Sequence, residues 1–246
     1  MSDAAAVCNV LIEETPQSGA WNMALDEALL ELAGRDGECW LRWYRWSEPA
    51  VSLGYFQKVD IPEEFAGLAV VRRLSGGGAI LHHHEWTYSV VVAPGHPLAA
   101  APPQLYGLVH DRIIGVLAEL GVTAQRRGTA AAFADNSFLC FQRGDANDVL
   151  IGQHKILGSA QRRRRGAILQ HGSLLMATSP HAPELPGVCD LGIAPTSLQD
   201  IATRLAAAVG GLIGRSRSVD MPPKTAIDMA ARLKRDRYQS EAKIGE

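Results

Sequence analysis

The spacing of apolar residues predicts an α-helix over residues 18–33. Apolar side chains recur there at every third or fourth position, which places them on one face of a helix. Asp26, Glu27 and Glu31 fall on the opposite face, as in an amphipathic helix that packs one side against a core. The apolar face consists of Ala24, Leu25, Ala28, Leu29 and Leu32.

Two more helices follow from the same periodicity. Two prolines at residues 102–103 open a segment with a broad apolar face, and proline is common in the first turn of a helix. That helix is expected to end at Gly121. Thr196 and Ser197 are expected to cap a third helix, over residues 198–212. The basic and then polar residues 222–246 predict a weakly helical tail that is partly mobile.

Short runs of β-branched and aromatic residues predict the strands. Residues 39–46 and 50–54 are separated by Ser-Glu-Pro, which suggests a hairpin. Residues 69–74 and 79–83 are expected to form two strands on either side of a triple glycine. The β-branched run 87–93 is expected to be a central strand.

One mixed α/β domain over residues 1–246 is the simplest organisation. Residues 138–175 predict several further strands joined by tight turns, and no repeat or low-complexity linker divides the chain. The 246 residues are 47% hydrophobic and 20% charged, which is ordinary for a soluble globular protein. The net charge of -2 gives no general attraction to nucleic acid or to membranes.

The four cysteines form no Cys-x-x-Cys pair, which argues against a zinc site or a disulfide framework. The first residues carry no charged segment followed by an apolar core, so we expect no signal peptide. A cytoplasmic location follows, where thiols stay reduced.

The segment from Arg72 to Gly78 is a candidate ligand-binding turn. The bare backbone of Gly76, Gly77 and Gly78 allows close approach of a ligand to N–H groups, and Ser75 precedes them. Arg72 could hold a carboxylate or a phosphate. A loose hairpin turn is an equally good interpretation of the glycines alone.

Three consecutive histidines follow this turn. On a strand, His82 and His84 point to one side while His83 points to the other. No cysteine or carboxylate cluster completes a metal-ligand set with them, so we expect no metal site. A single histidine lining a pocket, such as His82, is the better expectation.

Cys140 and Lys155 are the candidate catalytic pair. Cys140 lies in an apolar, strand-like run, and a strand pair could bring Lys155 beside it. An ammonium group near a thiol favours the thiolate, which is the nucleophilic form, and could later polarise an acyl carbonyl. A buried structural thiol is the alternative for Cys140. Cys189, in a Pro/Gly-rich loop, is the rival nucleophile.

The residues after Lys155 fit a chain-like substrate. The small residues Gly158, Ser159 and Ala160 predict a turn that clears space for such a substrate. His171 lies further along, in a Gln-His-Gly-Ser sequence. Arginines occupy all of positions 162–165, and they form either a solvated loop or a docking site for an acidic protein.

Together these segments resemble the lipoate–protein ligase A/octanoyltransferase family, within the biotin/lipoate ligase superfamily. The similarity spans most of the chain and rests on residues 22–28, 46–57, 72–79, 155–161 and 169–174. It implies a mixed β-sheet flanked by helices, as in the class II synthetase-like catalytic domain of biotin and lipoate ligases. It also implies an acyl chain in a tunnel under the glycine turn.

Within that family the chain is similar to the cysteine-dependent octanoyltransferases of the LipM type. Cys140 matches the acyl-accepting cysteine of that branch, fifteen residues before the matching Lys155. Residues 85–89 resemble its Glu-Leu-Thr-Tyr-Ser sequence. We also expect no accessory C-terminal ligase domain. His83 stands where the family usually has Asp, which bears on nucleotide and magnesium handling.

The resemblance implies octanoyl transfer from acyl carrier protein, through a thioester on Cys140, to a lysine of a lipoyl-domain protein such as the glycine cleavage H protein. No cofactor is then needed. The substrate-binding residues would be Arg72, Ser75, Gly76, Gly77, Gly78, His82, Gly158, Ser159, Ala160 and His171. An ATP-dependent lipoate–protein ligase is the first alternative. A non-catalytic lipoyl- or acyl-binding paralogue, suggested by His83, is the second.

Overall fold

Two β-sheets form the frame of the protein in a computed structural model that describes residues 6–128, 137–192 and 198–238. The strands are β1 Val7–Ile12, β2 Cys39–Tyr44, β3 Ala50–Leu53, β4 Ala69–Arg72, β5 Ile80–His82, β6 Glu85–Val92, β7 Gln125–Arg126, β8 Val149–Ile151, β9 His154–Arg164, β10 Ala167–Leu175 and β11 Arg215–Ser218. The larger sheet has the order β11-β1-β2-β6-β10-β9-β8-β7, and the smaller has the order β4-β3-β5. The expected mixed α/β fold is confirmed.

The three predicted helices are present, together with two others. They are α1 Gly19–Asp36, α2 Pro97–Ala100, α3 Pro102–Glu119, α4 Leu198–Ile213 and α5 Lys224–Leu233. Ser18 caps α1 by accepting a hydrogen bond from the backbone N of Trp21, and Gly37 ends it in the left-handed region at φ 74°. The expected caps of α4, Thr196 and Ser197, lie outside the described residues.

The polar face of α1 is buried like its apolar face. Asp26 and Glu27 are only 1% and 2% exposed. Asp26 faces the large sheet, where Arg42 of β2 pairs with it. Glu27 faces the C-terminal segment, where Tyr238 donates a hydrogen bond of 2.6 Å to it. The sheet and α5 therefore enclose α1 from two sides, which helical periodicity alone could not predict.

The tail packs on α1 through residues 224–238. Ala226 and Ala230 of α5 are fully buried, and a π-helical turn follows at Lys234–Tyr238. The rest of the tail, residues 239–246, lies outside the described residues. The predicted mobility of the tail stays a prediction.

The predicted central strand is confirmed as β6. It lies between β2 and β10, antiparallel to both, and every residue along it is buried. Its alternating side chains therefore contribute to both faces of the sheet. This placement brings β10, which carries His171, into register with Ser89 of β6.

The predicted hairpin over residues 39–54 is wrong. β2 belongs to the large sheet, whereas β3 is the middle strand of the small sheet. β3 pairs with β4 in parallel and with β5 antiparallel. The triple glycine therefore crosses from one side of β3 to the other, so it is not a hairpin turn between paired neighbours.

Three more local predictions are corrected by the structure. Cys140–Gln142 forms a single 3-10 turn where a strand was expected. Residues 158–160 lie within the long strand β9, where a turn was expected. The expected strand alternation of the histidines also fails, because β5 ends at His82.

Candidate functional site

Cys140 and Lys155 meet in the folded chain. The Nζ atom of Lys155 lies 3.9 Å from the Sγ atom of Cys140. The cysteine is placed by the end of the glycine turn, because its backbone N donates to the carbonyl of Ala79 at 2.7 Å. Lys155 reaches it from β9. The predicted contact is thus confirmed, although a turn and a strand make it rather than a strand pair.

The ammonium group of Lys155 is held by three oxygen acceptors. It donates to Asp148 at 2.9 Å, to the carbonyl of Cys140 at 3.0 Å and to the carbonyl of Arg143 at 3.4 Å. These acceptors match the three N–H groups of an ammonium. Gly158 makes room for the side chain, since a Cβ atom there would lie 2.9 Å from Cε of Lys155.

Asp148 is a buried carboxylate that sequence reasoning missed. It is 3% exposed and pairs with Lys155 and with Arg127. Burial raises the pKa of Asp148, and the positive charge of Lys155 acts in the opposite direction. The carboxylate of Asp148 therefore partly neutralises the positive charge of Lys155 and weakens the effect of that charge on the thiol.

Arg73, the neighbour of the predicted Arg72, is the arginine that interacts electrostatically with Cys140. Burial lowers the pKa of Arg73 to about 10, while the negative charge of a Cys140 thiolate acts in the opposite direction. Arg73 also donates to the carbonyls of Gly76 and Gly78, at 2.8 and 2.7 Å, and so shapes the glycine turn. Lys155 thus lies 3.9 Å from a half-buried thiol, and a nearby cation is a setting in which cysteines become reactive.

Arg72 instead supports the loop that follows β3. Its guanidinium donates to the carbonyls of Gly54 and Gln57, at 2.9 and 2.7 Å. Gly54 is needed at its position because a Cβ atom there would lie 1.9 Å from the carbonyl oxygen of Gly77. Gly77 has φ 96°, a conformation that glycine adopts easily. The loop and the turn therefore pack backbone against backbone.

A chain of hydrogen-bonding groups runs from the glycine turn to α1. The hydroxyl of Ser75 contacts Nε2 of His171 within hydrogen-bond distance, and Nδ1 of His171 lies 3.5 Å from Asp26. The three residues are 1%, 6% and 1% exposed. Ser75 and His171, two of the predicted site residues, are therefore brought together, and Asp26 joins them unexpectedly.

Asp26 is held in its ionised form. Burial opposes its charge, but Arg42, His171 and Ser89 outweigh that effect and keep the pKa of Asp26 below its ordinary value. Tyr44 donates a further hydrogen bond of 3.0 Å. The available sequence signal was a pair of acidic residues inside the mainly apolar segment 22–28, which also supports the family resemblance.

His82 belongs to a second buried network of hydrogen bonds, with Glu85 and Ser52. Its Nδ1 contacts Glu85 at 2.5 Å, its Nε2 contacts the hydroxyl of Ser52 at 2.7 Å, and its ring stacks on Trp46. Burial lowers the pKa of His82, against the charge of Glu85. A cavity of about 20 Å³ lies beside it, and its lining includes Met23, Ser52, Arg73, Ile80, His82, Thr87, Ala160 and His171.

The three small residues of β9 lie in different places. Gly158 lies against Lys155 and Ala160 lines the cavity. The hydroxyl of Ser159 contacts Tyr88 at 2.7 Å and the ring of His110 on α3. The structure therefore brings Gly158 and Ala160 to the site, but turns Ser159 toward α3.

Cys189 lies in a different environment from Cys140. Burial raises the pKa of Cys189, and the neighbouring charge of Asp190 raises it further. It lines a groove of about 560 Å³ together with His83 and His84, whose rings stack at 3.6 Å. Among the described residues, no group of His, Cys, Asp and Glu is arranged to hold a metal ion.

The arginine run does not act as one patch. Arg164 pairs with Glu27 and Glu31, at 2.8 Å to Glu27, and Arg165 pairs with Glu31 at 3.2 Å. Arg162 lies over the ring of Tyr55 near the glycine turn, at 4.9 Å from its centroid. The docking of an acidic protein on these arginines stays a prediction. Arg164 and Arg165 already pair with glutamates of this chain, so fewer arginines are available for a partner.

Comparisons with known proteins agree with this geometry. The model of the lipoyl protein ligase A/B catalytic domain matches residues 18–184. Octanoyltransferase LipM of Oceanobacillus iheyensis is 39% identical over 171 residues, which are 66% of this chain and 62% of that protein. Octanoyltransferase LipM of Symbiobacterium thermophilum is 40% identical, over 68% of this chain and 64% of that protein. The chain thus spans a little under two thirds of these curated relatives.

Solved structures share the fold. Lipoate-protein ligase A bound with ATP superposes with a TM-score of 0.74 at 23% identity, over 95% of this chain and 96% of that chain. A bi-partite lipoate protein ligase of Thermoplasma acidophilum gives a TM-score of 0.73 at 22% identity, over 96% and 95%. None of the described helices has the length and apolar character that a membrane crossing requires. With the family model matching residues 18–184, the chain belongs to the lipoyl protein ligase A/B catalytic domain family.

Proposed function

We propose that this protein is an octanoyltransferase that carries the acyl group on Cys140. The observation that carries the proposal is the 3.9 Å approach of Lys155 Nζ to Cys140 Sγ. A cation so close to a half-exposed thiol favours the thiolate, which is the attacking form. The curated relatives named octanoyltransferase LipM support the same chemistry.

In the first step, the Cys140 thiolate attacks the carbonyl carbon of octanoyl bound as a thioester to acyl carrier protein. The new S–C bond forms, the carrier's S–C bond breaks, and the carrier leaves as a thiolate that takes a proton from water. Lys155 and Arg73 are the cations that stabilise the negative charge that develops on the carbonyl oxygen. The product is an octanoyl thioester on Cys140.

In the second step, the ε-amine of a lysine on a lipoyl-domain protein, such as the glycine cleavage H protein, attacks that thioester. The amide bond forms, the amine loses one proton, and Cys140 leaves as a thiolate beside Lys155. Each step exchanges one acyl bond for another, so the transfer needs no nucleotide. A cytoplasmic setting, where thiols stay reduced, fits this chemistry.

The octanoyl chain is proposed to occupy the cavity beside His82. Its present volume of about 20 Å³ is room for about one water molecule. Met23 is the flexible apolar side chain in its lining, so its movement is expected to open the cavity. Its lining also includes Ala160 and several hydrogen-bonded polar side chains, and these polar groups are expected to limit how deeply an apolar chain extends.

The test is intact mass after mixing the protein with octanoyl-acyl carrier protein in the absence of ATP. We expect an adduct of one octanoyl group that disappears in Cys140→Ser. Cys189→Ser is the matched control, because it removes the other half-buried thiol, and its adduct is expected to remain.

Other outcomes identify the alternatives. An adduct that persists in Cys140→Ser and disappears in Cys189→Ser would move the nucleophile to Cys189. No adduct, with acceptor modification that requires ATP, would establish a lipoate–protein ligase instead. Binding of octanoyl-carrier protein without any turnover would point to a non-catalytic paralogue.

A further inference from the structure

We propose that Ser75, His171 and Asp26 form the proton path that deprotonates the acceptor lysine in the second step. This inference rests on the proposed function, because it concerns the amine that attacks the octanoyl thioester. Ser75 is the group that meets the amine, and His171 and Asp26 act through it as positioning residues. The three come from the glycine turn, β10 and α1.

The partners of His171 define which of its nitrogens carries the proton. Asp26 is ionised, so it can only accept, and Nδ1 of His171 is the nitrogen that faces it. Nε2 then has the free lone pair, and the hydroxyl of Ser75 donates to it. The remaining lone pairs of the Ser75 oxygen are therefore available to accept a proton from a substrate. This is the order of roles in a Ser-His-Asp triad.

The glycine turn connects this serine to the backbone that positions the thiol. Ser75 begins the turn, Ala79 ends it, and Ala79 holds the backbone of Cys140 at 2.7 Å. Arg73 spans the same turn through Gly76 and Gly78. One short segment thus carries the serine at its start and holds the backbone of Cys140, through Ala79, at its end.

The second step needs a proton acceptor that Lys155 does not provide. A lysine amine has a pKa of about 10.4 in water, so the attacking nitrogen must lose a proton at neutral pH. Lys155 donates to three acceptors and, as an ammonium, has no lone pair to receive a proton. Ser75 and His171 are buried, where bulk water has little access to take the proton.

The proton movements balance. The acceptor ammonium first releases one proton to water. As the resulting amine forms its bond to the acyl carbon, a second proton passes from the nitrogen to the Ser75 oxygen, and the Ser75 proton passes to Nε2 of His171. The resulting imidazolium is stabilised by the Asp26 carboxylate. Cys140 leaves as a thiolate, and the imidazolium returns its proton to solvent when the product leaves.

The experiment follows acyl transfer from preformed octanoyl-Cys140 enzyme in a single turnover, monitored by intact mass. His171→Gln keeps a polar group but cannot take the proton. Because His171 lines the proposed acyl cavity, we expect the variant to form the octanoyl adduct more slowly than the wild type. From the preformed adduct, we expect it to transfer octanoyl to the acceptor lysine about 100-fold more slowly, a typical loss for general-base catalysis. Ser75→Ala is expected to slow the transfer from the preformed adduct by a similar factor.

A second amine separates proton transfer from simple loss of structure. Hydroxylamine is a weak base that loses its proton to water readily, so its reaction with the octanoyl thioester is expected to be much less affected by His171→Gln. The matched control is His110→Gln, which changes another buried histidine, bonded to Ser159 on the α3 side. We expect it to leave both transfers within about twofold.

Three results would overturn the proposal. Equal losses with lysine and hydroxylamine would assign His171 a structural role. Unchanged transfer to lysine in both His171→Gln and Ser75→Ala would exclude the path. Failure of the wild-type protein to form any adduct on Cys140 would instead refute the proposed function, and the proton path with it.

Discussion

The two sides of the glycine turn differ in their balance of charge. On the thiol side, defined by Cys140, Lys155, Arg73 and Asp148, two cations face one thiol and a single carboxylate. On the carboxylate side, defined by Asp26, Glu13, Arg42 and His171, two carboxylates share one guanidinium.

In the proposed mechanism, this difference lets one part of the site stabilise an anion while another part accepts a proton. An excess of positive charge stabilises a thiolate and an oxyanion, whereas an excess of negative charge stabilises a protonated imidazole. Lys155 is already partly compensated by Asp148 on the thiol side, and Arg42 pairs with two carboxylates on the other side. The glycine turn, whose carbonyls Arg73 binds, connects the two sides.

The largest expected effect comes from Asp26→Asn on the carboxylate side. Arg42 is fully buried and loses one of its two carboxylate partners, so we expect the free energy of unfolding to fall by about 3–5 kcal/mol. Urea unfolding measures this change. Asp228→Asn, which removes an exposed partner of Lys224, is the control and is expected to cost less than about 0.5 kcal/mol.

The same variant is expected to change the acid dependence of stability. Since folding lowers the pKa of Asp26, its stabilising contribution is complete above the ordinary carboxyl range. That contribution is lost as the pH falls through the lowered folded value. Wild-type protein therefore loses stability on acidification that Asp26→Asn does not. Parallel acid profiles would contradict the assignment of an ionised Asp26.

The second effect tests the thiol side through Lys155→Met. We expect iodoacetamide to alkylate Cys140 more slowly at neutral pH, because the thiolate loses the stabilising charge of Lys155. The rate is expected to fall about tenfold for each 1.4 kcal/mol by which the thiolate is destabilised. Peptide mass spectrometry reads Cys140 and Cys189 in the same sample, so Cys189 is an internal reference. Lys155→Arg keeps the charge and is expected to retain most of the reactivity. Equal alkylation of Cys140 in all three proteins would show that Lys155 does not activate it.

The smallest effect is expected from Asp148→Asn. Removing this carboxylate leaves more of the charge of Lys155 to act on the thiol, so alkylation of Cys140 is expected to rise about two- to fivefold, within the range of one screened charge interaction. The assay is the same as for Lys155→Met. A slower reaction would mean that Asp148 serves mainly to orient Lys155, and the proposed charge balance of the thiol side would be wrong.

Much of the candidate site could be predicted because its signals are local. The spacing of Cys140 and Lys155 and the triple glycine are visible in the sequence, and the contact between the two side chains is confirmed. The helix over residues 18–33 and the central strand β6 also follow from the sequence, the helix from its apolar spacing and the strand from its β-branched run.

The predictions that failed depended on neighbours distant in sequence. Adjacent strand-like runs suggested a hairpin, but β2 and β3 pair in different sheets. Two neighbouring arginines looked alike, and only the tertiary arrangement turns Arg73 to the thiol and Arg72 to the loop at Gly54. Local preference carries no information about which partner a strand or side chain finds across the molecule.

The amino-acid sequence by itself determined the helical and strand periodicity, the reactive residue types and the family to which they belong, because these reside in residue identity and spacing. Only the tertiary structure decided that Asp26 stands behind His171 and that Asp148 compensates Lys155. Burial determines how strongly a charged group interacts with its neighbours. Which groups are buried depends on segments far apart in the chain that fold around the same glycine turn.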